Sequence, residues 1–167
     1  MTEKKTQPVS RLVELSELEP VIREILSSGG SFRMTITGTS NLPTMAGGRD
    51  QVTLSQITGP LSRYDLPLYR RDSGQYTLHR IVSVQPDGTY SCCGDHQFRP
   101  EPGIRQDQLI GVVTRICRKG REFSVDSRGY RFWVRTWGAL LPCRRLLLKA
   151  YHLPGRIKRI FSRKRNA

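Results

Sequence analysis

The sequence predicts a mainly β protein, a coiled antiparallel sheet or open barrel, with helices before it and a basic helical tail after it. Three observations carry that prediction. After Gly30, short stretches rich in Thr, Val, Ile and Tyr recur at intervals of about ten residues, the spacing of short antiparallel strands rather than of βαβ units. Turn-forming clusters separate them. Helical periodicity is confined to the two ends of the chain. The predicted organisation is an N-terminal helical segment over residues 1–30, a β domain over 31–128 and a basic amphipathic tail over 129–167.

Taken in order, Leu12, Val13, Leu15, Leu18, Val21, Ile22, Ile25 and Leu26 recur at helical spacing, and Gly29-Gly30 supplies a stop. Proline is tolerated in a first turn, so Pro20 is expected to open a second short helix. Strands are expected at 32–37, 51–54, 65–71, 76–84, 89–93, 109–117 and 122–125. The turns Arg71-Asp72-Ser73-Gly74, Pro86-Asp87-Gly88 and Arg118-Lys119-Gly120 fall between them. From Tyr130 onward Trp133, Trp137, Leu140, Leu141 and Leu146–Leu148 alternate with arginines. Leu153, Ile157, Ile160 and Phe161 then share a helical face among basic residues.

The chain has 167 residues and a net charge of +14. Such a charge suggests nucleic acid or an anionic surface as a partner, but its distribution is uneven. Residues 1–114 hold twelve Lys and Arg against twelve Asp and Glu, whereas residues 115–167 hold sixteen against two. The excess therefore describes the tail and not the β domain. With Trp133 and Trp137 beside it, the tail is expected to touch an anionic membrane peripherally through residues 133–165. No nucleic-acid motif accompanies the charge, so nucleic acid is not expected as a partner. The first residues are polar and no apolar run reaches spanning length, which predicts a cytoplasmic location, peripheral on the inner face of the membrane. Four cysteines, the adjacent Cys92 and Cys93 with the isolated Cys117 and Cys143, read as reduced thiols. Cys92, Cys93 and His96 lack a fourth ligand, so no metal or other cofactor is expected.

A serine hydroxyl attacks a carbonyl only when a rigid turn holds it and a base takes its proton. The segment Thr37-Gly38-Thr39-Ser40-Asn41-Leu42-Pro43-Thr44 suits that work, since Gly38 allows close backbone approach and Pro43 stiffens the exit. The same composition also suits an ordinary turn. Bases are few: histidines stand only at 79, 96 and 152, and no lysine occurs between Ser40 and Arg118. His79 ends the strand-like Tyr76-Thr77-Leu78, where neighbours can orient it.

The ordered segments Gly38-Thr39-Ser40 with Pro43, Asp65-Leu66-Pro67-Leu68-Tyr69, Leu78-His79-Arg80-Ile81-Val82 and Gly94-Asp95 resemble the boxes of the type I signal peptidases. That family shares its fold with the self-cleaving SOS repressors. The resemblance spans about residues 32–117, and the base matches the histidine branch of the family. It implies a serine endopeptidase that cuts a peptide bond in a signal or leader peptide. Ser40 would be the nucleophile, His79 the base and the Ser40 amide part of the oxyanion site. An acid would orient His79; Asp95 and Glu101 compete for that role, with Asp95 preferred. Arg80 would pair with one of these acids, and His96 would be a second base or a substrate contact. Asn41 stands where the family carries methionine, which bears on the substrate pocket. Two other readings remain open: a non-catalytic peptide-binding relative, and a basic nucleic-acid-binding module.

Overall fold

Helix α1 (Leu15–Ser27) is the first element of the computed structural model, which describes residues 14–146 and Leu148. It buries Ile22 and Leu26 and ends at Gly29, whose φ of +80° is the left-handed conformation glycine adopts without strain. Pro20 lies inside this single helix and does not open a second one. Its missing N–H and ring cost roughly 3 kcal/mol in a helix interior. Ile22 and Leu26 offset that, at roughly 1.5–3 kcal/mol for each fully buried side chain. Leu12 and Val13 lie outside the described residues.

Among the described residues nine strands follow: β1 (Phe32–Thr35), β2 (Gln51–Ser55), β3 (Pro67–Arg70), β4 (Tyr76–Leu78), β5 (Arg80–Val84), β6 (Tyr90–Cys93), β7 (Glu101–Ile104), β8 (Leu109–Arg118) and β9 (Arg121–Ser124). They form an open, strongly curled antiparallel half-barrel, as the strand spacing predicts. The larger sheet runs β1-β2-β8-β3-β4, with β9 added to the far half of β8. Long β8 is its spine: β2 lies along one edge, β3 along the first part of the other edge and β9 along the last part. Bulges at Thr53/Leu54 and Leu68/Tyr69 add local bend to this sheet. The smaller sheet is β5-β6-β7.

The three expected turns close hairpins, with Gly74, Gly88 and Lys119-Gly120 at positive φ. The segment expected as one strand over 76–84 is two strands in two sheets. It breaks at His79, where the chain leaves the larger sheet for the smaller. β7 is an addition to the sequence reading, because Pro102 and Gly103 mask its strand character. Two apolar clusters fill the interior. One joins Ile22, Leu54, Leu68 and Ile116 to Val134, and the other groups Tyr69, Ile81, Tyr90 and Leu109.

Helix α2 (Arg128–Ala139) buries Tyr130, Val134 and Gly138, one residue per turn on a single face. This part of the tail therefore lies against the β domain, and a 3-10 turn (Leu141–Cys143) leads from it to Arg144. No helix among the described residues is long and apolar enough to cross a membrane. The tail beyond Leu148, where the second apolar face was expected, lies outside the described residues.

Candidate functional site

Ser40 sits in the connection between β1 and β2, and that connection is pinned along its length. Gly48 N donates to Ile36 O at 2.8 Å and Met45 N to Asn41 O at 2.9 Å. Gly38 adopts a φ of +72°, and Gly47 presses so closely on the Thr37–Gly38 backbone that a side chain there would overlap the Gly38 carbonyl. Asp50, fully buried, accepts from Ala46 N at 2.8 Å and from Lys119 N at 3.2 Å and pairs with Arg49. The Arg49 hydrogen bond, joined by those from the two backbone amides, holds its carboxyl well below the usual range despite burial. Ser40 itself is partly exposed, and among the described residues its N–H and hydroxyl have no protein hydrogen-bond partner.

His79 is 4% exposed. Nδ1 is sealed without a partner, and the ring meets Tyr69 edge-on at 6.5 Å. Burial pushes its pKa down to about 4, with the Arg71 charge adding to the effect and Glu101 and Asp95 opposing it. The imidazole is therefore neutral from weakly acidic pH upward.

His79 and the Ser40 turn converge on Gly94. A methyl group added there would stand 3.1 Å from His79 Nε2 and 2.6 Å from Ser40 O, so both atoms flank a space that only glycine leaves open. The turn begun by Gly94 also holds the serine backbone, since His96 N donates to Ser40 O at 2.8 Å. His96 thus belongs to the site through its main chain.

Asp95 does not orient the histidine. Its two carboxylate oxygens accept from Arg80 Nε and Nη2 at 2.9 and 2.8 Å, in a pair that is 1% and 2% exposed. Arg80 is spent there, donating its remaining bonds to Tyr64 O and Tyr130 Oη, each at 3.0 Å. The expected pairing of Arg80 with an acid is present, and it staples the residue after His79 to the residue after Gly94. Glu101 accepts from Tyr69 Oη at 2.9 Å and from Arg71 at 2.6 and 2.5 Å. Of the two acids, Glu101 acts more strongly on His79. Burial works against ionisation of Glu101, but the bonds from Arg71 and Tyr69 outweigh it and keep its pKa below the ordinary value.

Asn41 is buried, and Nδ2 donates to Leu78 O at 2.9 Å, tying the Ser40 turn to the residue before His79. Its Oδ1 has no partner. Where the sequence suggests a pocket residue, the side chain is an internal tie. Pro43, after a cis Leu42–Pro43 bond, is exposed on the same turn.

Helix α2 braces all three parts of the site. Trp133 Nε1 donates to Thr44 Oγ1 at 3.0 Å, in the Ser40 turn. Trp137 Nε1 donates to Asp95 O at 2.9 Å, and the two indoles stack at 5.5 Å. Tyr130 receives Arg80. The sequence reading missed Tyr69, Arg71 and the inward roles of these aromatics. One signal was available: Tyr69 and Arg71 stand two apart, the spacing that places strand side chains on one face. Cys92 and Cys93 are buried, and burial raises them to about 12 and about 11, leaving both as thiols at neutral pH. No protein-family model matches the chain, and no curated protein matches it in sequence.

Proposed function

We propose that the protein is a serine endopeptidase resembling the type I signal peptidases, with Ser40 as nucleophile and His79 as general base. The observation that carries this reading is the convergence of His79 Nε2 and the Ser40 backbone on Gly94. Ser40 Oγ attacks the scissile carbonyl while Nε2 accepts its proton, and the same proton passes to the leaving amine. The acyl group on Ser40 is then hydrolysed by a water whose proton returns through His79. The Ser40 N–H supplies one donor to the oxyanion. Glu101, through its charge and through Tyr69 against the ring, is the acid that favours the imidazolium formed during transfer.

The competing reading, peptide binding without cleavage, draws support from one observation: no hydrogen bond joins Ser40 Oγ to His79 among the described residues. Catalytic hydrogen bonds commonly shorten only when substrate is bound. Mass spectrometry of a diverse peptide mixture separates the readings. Wild type is expected to cut internal bonds and Ser40→Ala to cut none. Cleavage surviving in Ser40→Ala overturns the nucleophile, and retention of peptides by an inactive wild type favours binding.

Gly94→Ala provides a geometric check. The added methyl must displace the Ser40 carbonyl or the His79 ring, so kcat/KM is expected to fall about 100-fold, the cost of a misplacement near 1 Å. Near-UV circular dichroism should remain native.

A further inference from the structure

Arg144 is 1% exposed, yet no carboxylate among the described residues pairs with it. Nη1 donates to Gly94 O at 3.2 Å and to Gln97 O at 3.0 Å, and Nη2 donates to Trp137 O at 2.8 Å. The guanidinium lies over the Trp137 ring at 5.1 Å, and its Nε is buried without a partner. Burying a cation with no directly paired carboxylate is costly, and an apolar side chain could fill the same space more cheaply. An apolar side chain could not gather three carbonyls.

Two of those carbonyls belong to the turn that assembles the site. Gly94 O also receives Gln97 N at 2.9 Å, and between them His96 N holds Ser40 O. Gly94 is the residue flanked by His79 Nε2 and Ser40 O. Trp137 O, the third acceptor, belongs to the helix whose indole at the same residue grips Asp95 O. We infer that Arg144 is a positioning residue for the Ser40–His79 site, locking the Gly94–Gln97 turn to α2, and that this part of the tail belongs to the catalytic unit. The inference rests on the peptidase reading. It acts through geometry: without the fork the turn loosens, and the Ser40 carbonyl and the wall beside His79 lose their fixed distance. Lysine cannot replace it, because an ammonium has neither the planar fork nor the flat face that lies on Trp137.

The test uses the full chain as wild type, Arg144→Ala and Arg144→Lys, with Arg145→Ala as an exposed control. Amide hydrogen exchange at His96 reads the bond to Ser40 O, and exchange at Val113 in β8 reads global stability. Expected in Arg144→Ala are fast exchange at His96 with Val113 protected, and a kcat about 100-fold lower with KM nearly unchanged. Added guanidinium ion should restore part of the rate, which a purely global destabilisation would not allow. Arg144→Lys should behave like Arg144→Ala, and Arg145→Ala like wild type. If Arg144→Ala loses protection at both amides, Arg144→Lys decides. Wild-type exchange at His96 and wild-type kcat in Arg144→Lys overturn the inference, as they would in a folded Arg144→Ala. If wild type cleaves no peptide, the peptidase reading fails while the His96 exchange still judges the role of Arg144.

Discussion

Alanine at position 79 is expected to lower kcat/KM by about 10²–10⁴-fold, the usual contribution of a positioned general base. The lost group is the imidazole whose Nε2 faces the space shared with the Ser40 backbone at Gly94. Steady-state kinetics on a peptide that the wild type cleaves would measure it. The same substitution has a second, opposite signature in stability. Free histidine titrates near 6.5 and folded His79 near 4, so between those values the unfolded chain binds a proton that the folded chain refuses. His79 therefore costs no stability above pH 6.5 and progressively more as pH falls toward 4, by about 3 kcal/mol in all. Urea unfolding at pH 7 and pH 4.5 should show a smaller acid loss in His79→Ala than in wild type. An identical loss in both would mean that the ring is not buried as described.

Asp95→Ala is expected to destabilise the fold by about 3–5 kcal/mol, because it strands the Arg80 guanidinium in the interior. Burial alone would lower the Arg80 pKa, yet Asp95 and Tyr130 outweigh it and hold the group charged. Without Asp95 it still cannot escape the penalty by releasing a proton, because a guanidinium stays protonated in proteins. Removing Asp72, which pairs with Arg105 on the surface, should leave the unfolding midpoint unchanged, since exposed pairs contribute little. The contrast between two Asp–Arg pairs of similar length, 2.8 and 3.0 Å, isolates burial as the variable. A midpoint for Asp95→Ala equal to that of Asp72→Ala would contradict the buried staple.

The fold was legible because its signals are local. Strand composition, the Gly74, Gly88 and Gly120 turns and the helical stop at Gly29 each act within a few residues. The break at His79 was not legible, because Tyr76–Val84 is uninterrupted strand composition and only the three-dimensional switch between sheets divides it. Pro20 misled for the opposite reason: a local rule favoured a helix start, and long-range burial of Ile22 and Leu26 overrode it. The proposal of Ser40 and His79 rests on residue type and order, and the structure adds that both border Gly94. The preference for Asp95 beside His79 failed because Arg80 is the next residue, and sequence order does not say which of two neighbours faces a distant acid. Arg144 was one arginine among many in a basic tail, and only its three carbonyl acceptors distinguish it.

The most direct test of the Ser40–His79 assignment is the pH dependence of kcat/KM for the wild-type chain, which reports the base of the free enzyme. Neutral His79 is the active form, so the rate should be flat from pH 6 to 8 and fall as pH drops through about 4. A rate that instead climbs with a midpoint well above pH 8 would assign the proton transfer to a lysine-like base and contradict the account.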